Sequence, residues 1–215
     1  MMRKSLLAVL VSGLMVTGVQ AADNQVNGYL FGNIGQAEAD KPGFIKDLDA
    51  EAAAFADDFG LGFRSSWDDK DTAFKIGAGI QLNQHIAVEF QYIDLGTPEY
   101  KASITDGVDT MSLKMTGKTD GYGMNLVGSL PFDRFKLFGK VGYHKLETEA
   151  SLKFTEGGFS MKESDSEKEW GTSYGIGASY AFTPQVELAA EIERYQDVAD
   201  EYDVDFASIG LRYNF

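Results

Sequence analysis

From Asp205 to Phe215 the side chains alternate. Ala207, Ile209, Leu211, Tyr213 and Phe215 fall on one face, and Phe206, Ser208, Gly210, Arg212 and Asn214 on the other. A period of two is what a strand imposes, because successive side chains leave it on opposite sides. One face is apolar and finishes on an aromatic residue; the other carries an arginine. Chain ends are usually polar and frayed. An apolar face running to the last residue therefore predicts a strand that closes a transmembrane barrel, apolar outward and polar inward.

The same alternation recurs in seven further stretches. Val26 to Ala37 puts Leu30, Gly32, Ile34 and Gln36 on one face and Tyr29, Phe31, Asn33 and Gly35 on the other, assigned inward. Thr72 to Leu82 turns Phe74, Ile76 and Ile80 outward and Lys75, Gly77 and Gly79 inward. After a turn at Asn83-Gln84-His85, Val88, Phe90 and Tyr92 face out while Glu89 and Gln91 face in. Asp120 to Leu130, a turn at Pro131-Phe132-Asp133, and Phe135 to Glu147 follow, with Phe138, Lys140 and His144 inward. Trp170 to Phe182 and Val186 to Glu193 complete the set around Thr183-Pro184, with Glu187, Ala189, Glu191 and Glu193 inward. Three short turns at one end and four longer connections at the other predict an all-β, eight-stranded antiparallel up-and-down transmembrane β-barrel. Each strand offers about ten alternating residues, enough to cross the apolar layer. Closure leaves no unpaired edge in lipid.

The connections carry their own signals. Asp47 to Asp57 is alanine-rich and opens with acids, which predicts a short surface helix. Phe59, Leu61 and Phe63 alternate with Gly60, Gly62 and Arg64, extending the following strand upward. Tyr100 to Thr116 around Asp106-Gly107 and Ala150 to Met161 around Gly157-Gly158 predict hairpins that prolong the barrel as a ribbon. Asp197 to Asp203 is a short acidic loop.

The first residues belong to a different element. Arg3 and Lys4 precede an apolar run, Ser5 to Gly18, and Val19-Gln20-Ala21 offers small residues for cleavage. Residues 1–21 are thus expected to be a cleaved signal peptide and 22–215 the barrel domain; the apolar run is shorter than the roughly 18 residues of a spanning helix. Loss of the leader takes the formal charge from −14 to −16, which speaks against nucleic acid as a partner. The chain has no cysteine, so disulfide scaffolds and thiolate metal sites are excluded.

Several stretches resemble the OmpA-like outer-membrane barrels. Asp69 to Gln81, Asn83-Gln84-His85 and Ile86 to Gly96 are similar to that family's second and third strands. Tyr180 to Pro184 and Ile209 to Phe215 are similar to its sixth-to-seventh turn and closing strand. The resemblance implies a barrel assembled by the machinery that reads the last strand, here through Ile209, Leu211, Tyr213 and Phe215. It also implies a role in envelope integrity, adhesion or narrow permeation. Glu89 stands where the family's third strand has a lumenal glutamate, and Lys140 where its fifth strand has a base. Val127, Ser179 and Ala189 stand where the family pattern has charges. A peptidoglycan-binding domain of the kind some members carry is not expected after the barrel, so a wall-tethering role is not implied.

Six inward charges, Lys75, Glu89, Lys140, Glu187, Glu191 and Arg212, are the candidate site. Buried charges must be partnered, and an eight-stranded interior is barely wide enough for side chains. A paired plug is therefore favoured over a selectivity filter. His144 has no serine beside it in sequence, so no nucleophilic dyad is legible. The acidic loops lack the regular oxygen spacing and glycine turn of a calcium site. No cofactor and no metal are expected. Trp67 and Trp170 read as interface anchors.

The expected function is a structural or surface-interaction role in the outer membrane of a Gram-negative bacterium, as a monomer whose partners are lipid, lipopolysaccharide and the assembly machinery. A narrow small-solute porin is the alternative, and an outer-membrane enzyme a third reading.

Overall fold

A computed structural model describes residues 27–215; the expected leader, residues 1–21, lies outside the described residues. In chain order the elements are β1 (Asn27–Ala39), α1 (Gly43–Asp58), β2 (Gly62–Asp68), β3 (Lys70–Asn83), β4 (Ile86–Asp94), β5 (Glu99–Thr105), β6 (Thr110–Phe132), β7 (Phe135–Glu156), β8 (Phe159–Ala181), β9 (Val186–Val198) and β10 (Tyr202–Asn214). Eight of the strands form an antiparallel ring, β1-β3-β4-β6-β7-β8-β9-β10. The ring closes where β10 pairs with β1, from Tyr29 opposite Asn214 to Ala39 opposite Val204. The Phe215 N–H donates to the Gly28 carbonyl at 3.0 Å, so the ladder extends to the last residue.

Alternation sorts the side chains as the sequence predicts. Ile209, Leu211 and Ile176 are 61%, 57% and 72% exposed on the outer surface, while Lys75, Glu89 and His144 are fully buried inside. This inversion of the usual burial is stable only where the outer surface meets hydrocarbon. No helix among the described residues is long and apolar enough to cross a membrane; the strands do so. Two aromatic belts bound the outer band. Tyr143 stacks on Trp170 at 4.9 Å near one end, and Phe135, Tyr180 and Phe182 pack in series at 4.8 and 5.2 Å near the other. Phe135 and Tyr143 are eight residues apart on β7, roughly 26 Å along the strand, which matches an apolar band of about 25 Å.

The connections depart from expectation in three places. β6 runs on to Phe132, so Pro131 and Phe132 belong to the strand and the turn is Asp133-Arg134, with Asp133 in the left-handed region at φ 56°. The acidic connection, a short loop counted among the four longer connections, is a tight turn. β9 and β10 stay paired out to Val198 and Tyr202, leaving only residues 199–201 between them, with Ala199 and Asp200 left-handed. Three connections are therefore extended, not four. Finally, the segment after the helix does not prolong β3. It forms the separate strand β2, which pairs along its whole length with β5.

Both predicted hairpins form. β5 pairs with Thr110–Thr116 of β6, and β7 and β8 pair without a break from the ring to Glu156 opposite Phe159. The sheet β2-β5-β6-β7-β8 thus stands beyond the loop end of the ring. The helix begins after Pro42, ahead of the predicted start, and buries Ile45 and Ala56. Asp49 fastens it by an ion pair with Lys41 and by accepting the Tyr100 hydroxyl at 2.6 Å. Trp67 is not a membrane anchor: it packs half-buried against the apolar layer at the loop end of the lumen, its indole N–H donating to the Ala39 carbonyl at 3.4 Å.

Candidate functional site

The lumen is stacked in three layers. At the turn end Tyr29, Phe31, Ala87, Val127, Phe138 and Ala189 form an apolar layer. At the loop end Ala37, Ala73, Ile93, Leu146, Val204 and Phe206 belong to a second one. Lys75, Lys140, Arg212, Glu89, Glu191 and Glu193 lie between, while Glu187 and Lys136 sit at the turn-end rim beyond the first layer. The turn-end layer is made partly by glycines: a Cβ on Gly79 would lie 2.1 Å from Cζ of the Tyr29 ring, and one on Gly77 would meet Phe31 at 2.6 Å. Only residues without a side chain let opposing aromatic rings reach across so narrow a barrel.

All six predicted lumenal charges are brought together. Lys140 lies 3.0 Å from Glu89 and 2.7 Å from Glu191. Lys75 lies 2.7 Å from Glu191. Arg212 lies 3.0 Å from Glu89 and 4.0 Å from Glu187, its guanidinium stacked 4.2 Å from the centre of the Tyr29 ring. The Tyr29 hydroxyl donates to Glu89 at 2.8 Å, and the Asn33 amide donates to Glu191 at 2.6 Å. Removing charges from water is costly, and mutual attraction offsets that cost only when geometry is good and further hydrogen bonds are made. Glu89 and Glu191 have both.

Two members escaped the sequence reading of the network. Glu193 is buried and pairs with Lys75; its inward parity on β9 was the available signal. Lys136, on the inward parity of β7, reaches Glu187 at 3.1 Å at the turn-end rim, where Asn214 also donates to Glu187 at 3.0 Å. Counting both, four carboxylates (Glu89, Glu187, Glu191, Glu193) face four cations (Lys75, Lys136, Lys140, Arg212), and the lumen is neutral.

Above the charges lies a neutral cluster that sequence spacing did not show. His144 Nδ1 is 3.3 Å from Ser173 Oγ, and Gln91 Nε2 is 3.1 Å from His144 Nε2 and from the Tyr195 hydroxyl. The two strands β7 and β8 bring serine and histidine together, so the expectation of no adjacent serine is corrected. The arrangement is not that of an activated nucleophile. The far ring nitrogen faces the Gln91 amide and not a carboxylate, so the orienting acid of a nucleophilic triad is missing from this contact. Both side chains are buried.

Outside the lumen, Arg194 gathers acids at the closing turn: Asp40 at 2.6 Å, Asp205 at 2.8 Å and Asp203 at 3.0 Å. Burial opposes its charge, but these carboxylates raise its pKa further above an already high value. Among the described residues no group of three or more His, Cys, Asp or Glu could hold a metal ion. Ile209, Leu211 and Tyr213 lie on the outer surface of β10, and Phe215, just past its end, is exposed as well.

Known proteins bear on this architecture. A sequence model described as the outer membrane protein beta-barrel domain matches residues 6–215. Curated proteins give no match. Some solved structures are similar at low identity. The attachment invasion locus protein Ail of Yersinia pestis is 16% identical over 87% of this chain and 99% of its own, with a TM-score of 0.47. Neisserial surface protein A is 15% identical over 87% and 97%, with a TM-score of 0.47. OprG of Pseudomonas aeruginosa is 12% identical over 89% and 98%, with a TM-score of 0.46. On the match that spans nearly its whole length, this chain belongs to the outer-membrane protein β-barrel domain family.

Proposed function

We propose that the barrel is a sealed, rigid base that holds the five-stranded extension away from the outer membrane of a Gram-negative bacterium, and that its role is surface interaction. The observation that supports this most is the lumen itself: a neutral, densely paired charge layer between two apolar ones. The protein acts without catalysis, as a monomer exported by its leader. It sits among lipid and lipopolysaccharide, and the assembly machinery reads Ile209, Leu211, Tyr213 and Phe215. Liposomes carrying the refolded protein should not swell in small neutral sugars; swelling at a rate above that of empty liposomes would contradict the reading.

A second reading, a narrow passage for small solutes, draws on one observation. Asn125, through both amide atoms, and Ser208, through its hydroxyl, make no hydrogen bond to other protein atoms although buried beside the charge layer. Buried polar groups of this kind are commonly satisfied by water. Water held there is compatible with a closed barrel as long as the two apolar layers stay intact.

A further inference from the structure

The strand registers align cations that are scattered along the sequence. Ser66 lies opposite Lys101, Lys101 opposite Lys114, Lys114 opposite Lys153, and Lys153 opposite Lys162. Four lysines therefore stand in one row across β5, β6, β7 and β8, with neighbouring strands about 4.8 Å apart. The adjacent row on the same face, two residues further out, is Arg64, Ser103, Ser112, Thr155 and Ser160. Across the two rows, five positions are basic, five are hydroxyl-bearing and none is acidic. The whole chain has 33 acids and 19 bases, so this is a local reversal of its charge.

Such a row is unfavourable in isolation, since like charges directly opposite one another destabilise a sheet. Glu99, from the next row, bridges Lys101 and Lys114. Among the described residues Arg64, Lys153 and Lys162 make no ion pair within 4 Å and are exposed. A groove of about 570 Å³ runs along the face, lined by Arg64, Lys101, Lys114 and Lys153. The opposite face of β6 and β7 is apolar, with Leu113, Met115, Leu152 and Phe154 half-buried, while β8 carries Glu163 and Asp165 there.

We infer that this outward face binds a linear acidic polysaccharide laid across the strands. The inference rests on the reading of the barrel as a base for surface interaction. A row of cations beside a row of hydroxyls suits sulfate or carboxylate groups on a hydroxyl-rich chain. Aromatic platforms for bases, which single-stranded nucleic acid needs, are lacking in both rows. Lysine supplies compact point charges rather than the forked donors that grip one phosphate. Lys114 stands eight residues beyond Tyr122 of the outer aromatic belt, roughly 26 Å along the strand. That places the row away from headgroup phosphates at the membrane surface.

The test uses the full mature chain refolded in detergent and immobilised dextran sulfate, with uncharged dextran as the blank. At about 50 mM salt, binding to dextran sulfate alone is expected, weakening steeply with salt as counterions compete. Lys153→Ser combined with Lys162→Ser should weaken it at least tenfold. Lys118→Ser with Lys168→Ser, the same charge change nearer the ring on the same face, should alter it less than twofold. The first pair should also leave the thermal transition unchanged or higher, because it removes opposed like charges. Absence of binding by the unmodified protein overturns the proposal, as does equal weakening by both pairs. So does binding confined to lipopolysaccharide vesicles. A failure here with a non-conducting barrel leaves the sealed base standing; a conducting barrel with selective binding would overturn the base and keep the ligand face.

Discussion

β6, β7 and β8 each run through two environments, and the polarity of their faces changes between them. In the ring the inward positions of β6 and β7 carry Asn125, Lys140 and His144, while Met124, Val141 and Tyr143 face outward. In the extension the inward parity carries Leu113, Met115, Leu152 and Phe154, and the outward parity carries Lys114, Lys153 and Thr155. The pleat is continuous, with no bulge in either pairing. What changes is the solvent on the outer side, from hydrocarbon to water. A single strand geometry serves both, because burial follows the surroundings and alternation only supplies the two faces. β8 shows the exception at an edge: Glu163, Asp165, Glu167 and Glu169 occupy its inward parity beyond the ring. Inward charges on an exposed edge strand discourage pairing with another sheet.

The largest expected effect lies in the ring. Lys140→Ala leaves Glu89 and Glu191 short of a buried partner, and breaking such a pair typically costs about 3–5 kcal/mol. Denaturant titration of the refolded protein should show the midpoint falling accordingly; a loss under about 1 kcal/mol would mean the lumen is wetter than the pairing implies. Gly79→Val comes next, at about 1–3 kcal/mol, because the new side chain must displace Tyr29 and with it a hydrogen bond to Glu89. If the variant is as stable as the parent, the turn-end layer is looser than its contacts suggest.

In the extension the effects should be smaller and pH-dependent. Burial tends to raise the Asp49 carboxyl, but hydrogen bonds from Lys41, Tyr100 and Ser65 outweigh it and hold the pKa below the usual value. A depressed folded pKa contributes stability above the unfolded value, near 3.9, and loses it as pH falls through the folded one. Docking of α1 should therefore be constant near neutrality and loosen below about pH 4, seen as faster proteolysis between Asp40 and Asp58. Asp49→Asn should abolish that pH dependence; an unchanged profile would remove Asp49 from the account. The smallest effect is expected for Arg194→Ala. Its three carboxylates are partly exposed, so screening limits the loss to about 1 kcal/mol.

The ring was legible in the sequence because its two faces differ strongly. Leu30, Ile34, Ile209 and Leu211 against Asn33, Ser208 and Arg212 leave one strand period and one orientation. The lumenal charges followed from the same parity. The three-layer lumen was not legible: Phe31, Val127, Phe138 and Ala189 are apolar inward neighbours of apolar outward residues, so alternation carries no information there. The Ser173–His144 contact and the lysine row depend on which residues stand opposite across strands, and register is fixed only once all the turns are known. The pattern of β2 is a strand's and suits a continuation of β3; that it pairs with β5 instead is a long-range choice.

The most direct test of the sealed base is single-channel conductance of the refolded mature chain in a planar bilayer, compared with Glu89→Ala. No steady open steps are expected from the unmodified protein, and either new small steps or a lower denaturation midpoint is expected once Glu89 is removed. Steady open steps from the unmodified protein would contradict the sealed base and make the lumen a passage.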